Sequence, residues 1–301
     1  MSPADLKRVF EVYQRTLDAH RQALNDLNVY PIPDGDTGSN MTQTVDSVVR
    51  HLDGATTMQQ VVDAVSRGSL VGAAGNSGVI LSQVLRGMGD RFKDVDEIGP
   101  IDLALGLGAA SAAAYRAVAR PVEGTILTVV RESAEAAAAA ETDDGDLGSL
   151  LESVFRGARQ ALERTPELLP ILAEAGVVDA GAAGFLLLIA SMLEVATGVG
   201  PELPELLLTA KPNRASSSRD DPAAGPRFEV MFFLEADDES IEGFRSSWQG
   251  LGGSIVVVGG EGLWNCHIHT DDIGAAVEAG IEVGRPRDIR ITDLHHQAGL
   301  L

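Results

Sequence analysis

The stretch Leu27-Asn28-Val29-Tyr30-Pro31-Ile32-Pro33-Asp34-Gly35-Asp36-Thr37-Gly38-Ser39-Asn40-Met41 decides how the chain is read. Two carboxylates, Asp34 and Asp36, flank a single glycine; Pro31 and Pro33 stiffen the approach and Gly38 loosens the exit. Carboxylates this close can share or bridge a hard divalent cation, which prefers oxygen donors, and a rigid turn limits the entropy lost on binding. The same letters are also ordinary turn vocabulary, an Asx-turn running into a helix N-cap. Local chemistry leaves both readings open.

On either side of this loop the chain reads as helix after helix to about residue 200. Ser2 as N-cap, Pro3 at the first helical position and Asp5 in the first turn open a segment in which Leu6, Val9, Phe10, Tyr13, Leu17 and Leu24 recur at helical spacing, ending near Asn25. Further helices are expected over roughly 40–52, 57–67, 77–88, 101–119, 125–140, 147–164 and 181–197, about eight in all. Their joints mix glycine with Asp, Asn, Ser or Thr at Asp34 to Gly38, Gly72 to Gly78, Glu123 to Thr125 and Asp179 to Gly184. One such joint is ordinary helix capping. Four are harder to dismiss, because loops gathered at one end of a bundle turn several helix N-termini toward one anion.

Charge narrows the partners. The 301 residues carry a formal net charge of -21, with 45% hydrophobic and 4% aromatic residues, and a mean hydropathy of +0.07. Nucleic acid is excluded as an expected partner, since counterion release needs clustered Lys and Arg. A polyphosphate would be repelled as well, so its binding requires metal ions to screen it. Runs of about 18 uninterrupted apolar residues are missing, so no integral membrane segment is expected. The start lacks a basic and apolar leader, and the single Cys266 fits a reducing compartment, so a cytoplasmic location is expected.

From Pro201 to Pro226 the composition turns to Pro, Ser and Asp, which reads as a linker between a domain over 1–200 and a second over 227–301. The second reads strand 228–235, helix 239–249, strand 254–259, strand 263–269, helix 272–283 and strand 286–292, a β-α-β-β-α-β order that predicts a small α+β ferredoxin-like domain. His267 and His269 stand two apart on a predicted strand, so they share a face and can reach one metal. By spacing alone a solvated or hydrogen-bonded pair is the favoured reading. His295 and His296 read as surface residues, and His20 and His51 as ordinary helix positions.

The string Leu27 to Met41 resembles the signature of the dihydroxyacetone-kinase L family, in the form of the ATP-binding subunit of bacterial fatty-acid kinase. Gly72-Ala73-Ala74-Gly75-Asn76-Ser77-Gly78-Val79-Ile80-Leu81-Ser82-Gln83 is similar to that family's second nucleotide loop, with Ala74 where an arginine is common. Glu123-Gly124-Thr125-Ile126-Leu127 and Val177-Val178-Asp179-Ala180-Gly181-Ala182-Ala183-Gly184 are similar to its third and fourth. The resemblance implies an all-α helical barrel of about eight antiparallel helices that binds ATP at its loop end. Asp34 and Asp36 would be the catalytic carboxylates and hold Mg2+. Asn28 stands where the dihydroxyacetone-kinase branch has a third aspartate. Asn28, Thr37, Gly38, Ser39, Asn40, Gly75, Asn76, Ser77, Gly78, Gly124, Thr125, Asp179 and Gly181 would line the nucleotide.

Leu263 to Asp272 resembles the family's middle domain, where the histidine pair is joined by a cysteine from the first strand to bind zinc. Here the first strand offers Glu229, a competent zinc ligand, so Glu229, His267 and His269 are the expected Zn2+ site. The resemblance further implies a magnesium-dependent kinase that phosphorylates an acyl carboxylate presented by a fatty-acid-binding protein. The alternatives are a component similar to dihydroxyacetone (glycerone) kinase and a catalytically weak nucleotide-binding regulatory protein. A homodimer is compatible with the family, and its further C-terminal domain is not among these 301 residues. The Gly-x-x-x-x-Gly-Lys-Ser/Thr loop is missing, and none of Lys7, Lys93 and Lys211 lies in a glycine loop. Charge neutralisation would therefore fall to magnesium.

Overall fold

Ser2 and Asp5 close a reciprocal capping box at the start of α1 (Pro3–Asp26): Asp5 N–H donates to Ser2 Oγ at 3.2 Å and Ser2 N–H to Asp5 Oδ2 at 2.9 Å. Leu6, Val9, Phe10, Tyr13, Leu17 and Leu24 form its buried stripe, as their spacing predicts. The computed structural model describes residues 1–140, 146–204, 226–260 and 262–294. Most of the expected linker, 205–225, and both His295 and His296 lie outside the described residues. The chain divides into two compact units, Met1–Arg116 with Pro121–Asn213, and Ala117–Arg120 with Arg214–Leu301.

The first unit is helical among its described residues. After α1 come α2 (Thr37–His51), α3 (Met58–Gly72), α4 (Gly75–Phe92), α5 (Pro100–Ala117), α6 (Ile126–Ala139), α7 (Leu147–Glu163), α8 (Thr165–Leu168), α9 (Pro170–Ala175) and α10 (Ala180–Thr197). Sequence periodicity missed the two short helices, because Pro166 and Pro170 interrupt the pattern while serving as first-turn residues. It also started α2 three residues late. Helix α1 packs on α2 and α10, α2 on α3, α3 on α4, α6 on α7, and α7 on α10. Helix α10 is long and apolar enough to cross a membrane, but 78% of it is buried inside the protein, which makes it a core helix. Its Gly184 carbonyl accepts the Tyr13 hydroxyl at 3.0 Å.

The second unit carries β1 (Phe228–Glu235), α11 (Ile241–Gln249), β2 (Gly252–Gly260), β3 (Leu263–Thr270), α12 (Ile273–Val283) and β4 (Arg285–Asp293). Its four strands form an antiparallel sheet in the order β2-β3-β1-β4. Val230, Phe232 and Leu234 of β1 and Cys266 and Ile268 of β3 join Phe244, Trp248 and Ala276 of the helices in one core. Phe232 meets Trp248 edge-on, ring centroids 5.4 Å apart, and the indole N–H donates to the Ala276 carbonyl at 3.0 Å. Alternation along the strands therefore turns Glu229, His267 and His269 to the other face of the sheet. Cys266 is packed on the helix side, where burial pushes its thiol well up, away from reactivity.

Candidate functional site

The carboxylate loop is held from behind by two asparagines near the end of α1. Asn28, 7% exposed, accepts the N–H groups of Asp36 and Thr37 at 3.2 and 3.0 Å and the Thr37 hydroxyl at 2.7 Å, all on Oδ1, while its Nδ2 donates to the Ile32 carbonyl at 2.9 Å. Asn25 accepts the Ser39 N–H and donates to the Ser39 hydroxyl, both at 3.1 Å. These bonds cap α2, whose own N-cap Asp36 makes no side-chain cap, and this is why the helix begins at Thr37. The turn itself needs Gly35, which sits at φ +67°. Asp34 and Asp36 are half-buried on this frame. Asn28 is thus committed to bracing the loop. Asn25 escaped sequence reading because it falls where the α1 pattern simply ends.

The second loop lies against the first. Gly75, at φ +55°, leaves no room for a Cβ, which would stand 2.2 Å from Asn40 Nδ2, and Gly78 is packed against the Thr44 hydroxyl. Helix α4 starts after Ala74, which offers no side-chain cap. The N–H groups of Gly75, Asn76 and Ser77 have no acceptor among the described residues, so this first turn presents three open donors.

The third and fourth loops are closed by their own side chains. Thr125 caps α6 through Leu127 N–H, and Gly124, at φ +82°, donates its N–H to Thr128 Oγ1 at 2.8 Å. Thr128 in turn donates to Glu123 Oε2 at 2.6 Å, and Tyr115 to Glu123 Oε1 at 2.7 Å. Burial works to raise the Glu123 carboxyl, but hydrogen bonds from Thr128, Tyr115 and Arg131 outweigh it and hold the group below its ordinary range. Asp179 caps α10 through Ala182 N–H at 2.8 Å and also accepts from the Ile126 and Gly181 amides, which ties the starts of α6 and α10 together. Its burial outweighs those bonds and pushes the carboxyl up to about 6. Tyr30, half-buried before Pro31, is raised by burial and by the charge of Asp179, which brings the first loop next to the fourth. Met41 and Gly184 meet where α2 crosses α10. The four loops thus meet at one end of the helical unit, the first against the second through Asn40 and Gly75, against the fourth through Tyr30 and Asp179, and the fourth against the third through Asp179 and Ile126.

In the second unit Glu229, His267 and His269 come together, each offering a ligand atom within 4.8 Å of the others. Glu229 is the Cα partner of His269 across β1 and β3, and its Oε1 lies 3.5 Å from His267 Nδ1. The two imidazole centroids are 4.9 Å apart. Both ring nitrogens of His267, a residue with no exposed surface, lack a hydrogen-bond partner. Burial depresses both imidazoles well below the ordinary histidine range, the neighbouring His267 adding to the effect on His269, and keeps them neutral, the form that binds metal.

A helical unit with clustered glycine loops, followed by a small sheet domain bearing a histidine pair, defines a two-part architecture that matches two family models in order. The DAK2 domain model covers residues 31–194, and the fatty-acid-kinase-like middle-domain model covers 225–300. The chain belongs to the DAK2 domain family, a kinase-type family, on its fatty-acid-kinase-like branch. It is 36% identical over 296 residues to protein YloV of Bacillus subtilis, covering 94% of this chain and 54% of that protein. An uncharacterized protein of Staphylococcus saprophyticus is 32% identical over 294 residues, covering 94% of this chain and 53% of the other. The chain therefore spans about half the length of the curated relatives it matches. Among solved structures, the dihydroxyacetone kinase of C. freundii in complex with AMP-PNP and Mg2+ aligns with a TM-score of 0.49 at 19% identity, over 64% of this chain and 34% of that one.

Proposed function

We propose that this chain is the nucleotide-binding part of a Mg2+-dependent phosphotransferase, most like the ATP-binding subunit of fatty-acid kinase. It would phosphorylate an acyl carboxylate that a separate fatty-acid-binding protein presents. The observation that carries this reading is the first turn of α4: Gly75, Asn76 and Ser77 offer three open N–H donors against Asn40, in the helix that the Asp34-Asp36 turn leads into. Open amides at a helix N-terminus suit phosphate oxygens, and adjacent carboxylates suit a hard cation. When bound, Mg2+ supplies the charge neutralisation that a chain of net charge -21 without a phosphate-loop lysine lacks. Asp34 and Asp36 would hold it, on a turn that Asn28 keeps rigid. Asn40, Asn76, Ser77 and Gly78 would orient the phosphates, Gly124, Thr125, Asp179 and Gly181 would border the nucleotide from the opposite wall, and the helices would close around this end as an antiparallel barrel. The reading carries a cytoplasmic setting with it.

The deciding experiment is ATP consumption by the purified chain with Mg2+, with and without a fatty-acid-loaded carrier protein, and with dihydroxyacetone as the rival acceptor. Acyl phosphate formed only with the loaded carrier supports the reading; turnover of dihydroxyacetone instead transfers it to the glycerone-kinase alternative.

The second unit fits a metal on independent grounds. We propose that Glu229, His267 and His269 hold Zn2+, because two imidazoles and a carboxylate are a zinc donor set and the buried His267 nitrogens have no other partner. The role would be structural, stabilising a small domain through the binding free energy.

A further inference from the structure

Two hydroxyls open α2, and the structure gives them opposite hydrogen-bond polarity. Thr37 Oγ1 donates its proton to Asn28 Oδ1 at 2.7 Å, so that proton is spent inside the protein. Ser39 is arranged the other way. Its N–H donates to Asn25 at 3.1 Å, and only a carbonyl oxygen can accept there, so the Asn25 amide is fixed with Oδ1 toward the backbone. The Nδ2 group of Asn25 is then the atom 3.1 Å from Ser39 Oγ, and it can only donate. One lone pair of the serine hydroxyl is occupied, and its own proton is turned away from Asn25. No acceptor for that proton lies among the described residues, and the side chain is exposed at the mouth of the loop.

The contact depends on a close approach of α1 and α2. A Cβ at Gly38 would stand 2.2 Å from the Arg21 carbonyl oxygen and 2.9 Å from Asn25 Oδ1, so a larger residue would push α2 away from the asparagine. The glycine between the two hydroxyl residues thus has a packing purpose: it lets Asn25 reach Ser39.

We propose that Asn25 is a positioning residue that holds the Ser39 hydroxyl as a hydrogen-bond donor to a phosphate oxygen of the bound nucleotide, while Thr37, with its proton committed to Asn28, is not a phosphate donor. This rests on the nucleotide reading given above and divides labour within it. Sequence resemblance assigned the same role to Thr37 and Ser39; the amide orientations separate them.

The test is calorimetry of MgATP binding to the full chain for wild type, S39A, N25A, N25D and the double variants N25A/S39A and N25D/S39A, with melting curves taken without nucleotide. A hydrogen bond to a charged phosphate is lost in S39A, which is expected to weaken binding by roughly tenfold or more. N25A is expected to lose a similar factor. N25D keeps an oxygen for the Ser39 N–H and so keeps the helix cap, but its second oxygen accepts rather than donates, and the serine proton turns inward. Adding S39A to either Asn25 variant is then expected to change affinity by less than about twofold, because the two residues act through one bond. If N25A melts far below wild type, the N25D pair alone decides. Losses that multiply in the double variants, or Asn25 variants that bind as wild type does, overturn the assignment. Wild-type chain that binds no MgATP overturns the nucleotide reading itself, and this inference with it.

Discussion

Glu229 and His269 are Cα partners across β1 and β3, and the next same-face residue of β3, His267, lies with its Nδ1 3.5 Å from the Glu229 carboxylate. Register rather than sequence spacing makes the trio, since Glu229 precedes His267 by 38 residues and His269 by 40. A slip of one residue would turn Glu229 into the helix-side core.

The trio leads to the first prediction. Metal-replete protein is expected to hold one zinc per chain, and chelation is expected to lower the melting temperature of the small domain by at least about 5 °C, given the large share of folding free energy such sites supply. H267A and H269A should melt as the chelated protein does. Metal analysis with calorimetric melting checks this, and stoichiometric absence of zinc with unchanged melting in both variants sinks it.

The carboxylate loop carries the second. Asp34→Asn and Asp36→Asn are each expected to weaken ATP binding in Mg2+ by roughly 10- to 100-fold, the scale of a lost charge-assisted contact, and to leave melting without nucleotide nearly unchanged. Both side chains are half-buried and replaced isosterically. Tight binding of ATP in excess chelator would remove the role of the metal.

Gly75→Ala is the third. A methyl group there meets Asn40 Nδ2 at 2.2 Å and the backbone is at φ +55°, so the substitution is expected to cost about 1–3 kcal/mol. It should also weaken MgATP binding, because Asn40 and the three open amides of α4 shift together. Denaturant titration beside calorimetry separates the two effects.

Asp179 gives a pH dependence whose sign follows from its burial. Its folded value, about 6, stands above the ordinary carboxylate value of 3.8. The contribution is therefore fully present below about 4 and is lost as pH rises toward 6. Asp179→Asn, which still accepts at the α10 start, removes that loss. The variant should gain on wild type in melting temperature between pH 4 and 6 and stay level above that. Parallel profiles for the two proteins would show that the carboxylate is not buried as described.

Partner dependence is the last. On the proposed reading the acceptor is presented by a partner, so the chain alone is expected to turn over free fatty acid or dihydroxyacetone slowly, and a loaded carrier protein to raise the rate, because presentation sets the reacting geometry. Rapid turnover of either free acceptor by the isolated chain would place the acceptor site here instead.

Much of this protein could be read locally. The capping box of Ser2 and Asp5, the apolar stripe of α1 and the succession of strands and helices along the small domain follow from short-range chemistry, since capping and periodicity act over a few residues. The Asp34 to Asn40 turn and the His267-Ile268-His269 face belong to the same class, because each lies within one loop or one strand. Tertiary structure decided what lies between elements. It spent the Asn28 amide on α2, turned Asn25 onto Ser39, joined α6 and α10 through Asp179, and left the first turn of α4 without a side-chain cap. A hydrogen bond between residues 14 apart, as in Asn25 and Ser39, has no periodic trace in sequence, because it depends on how closely two helices approach, and here that distance is set by a glycine.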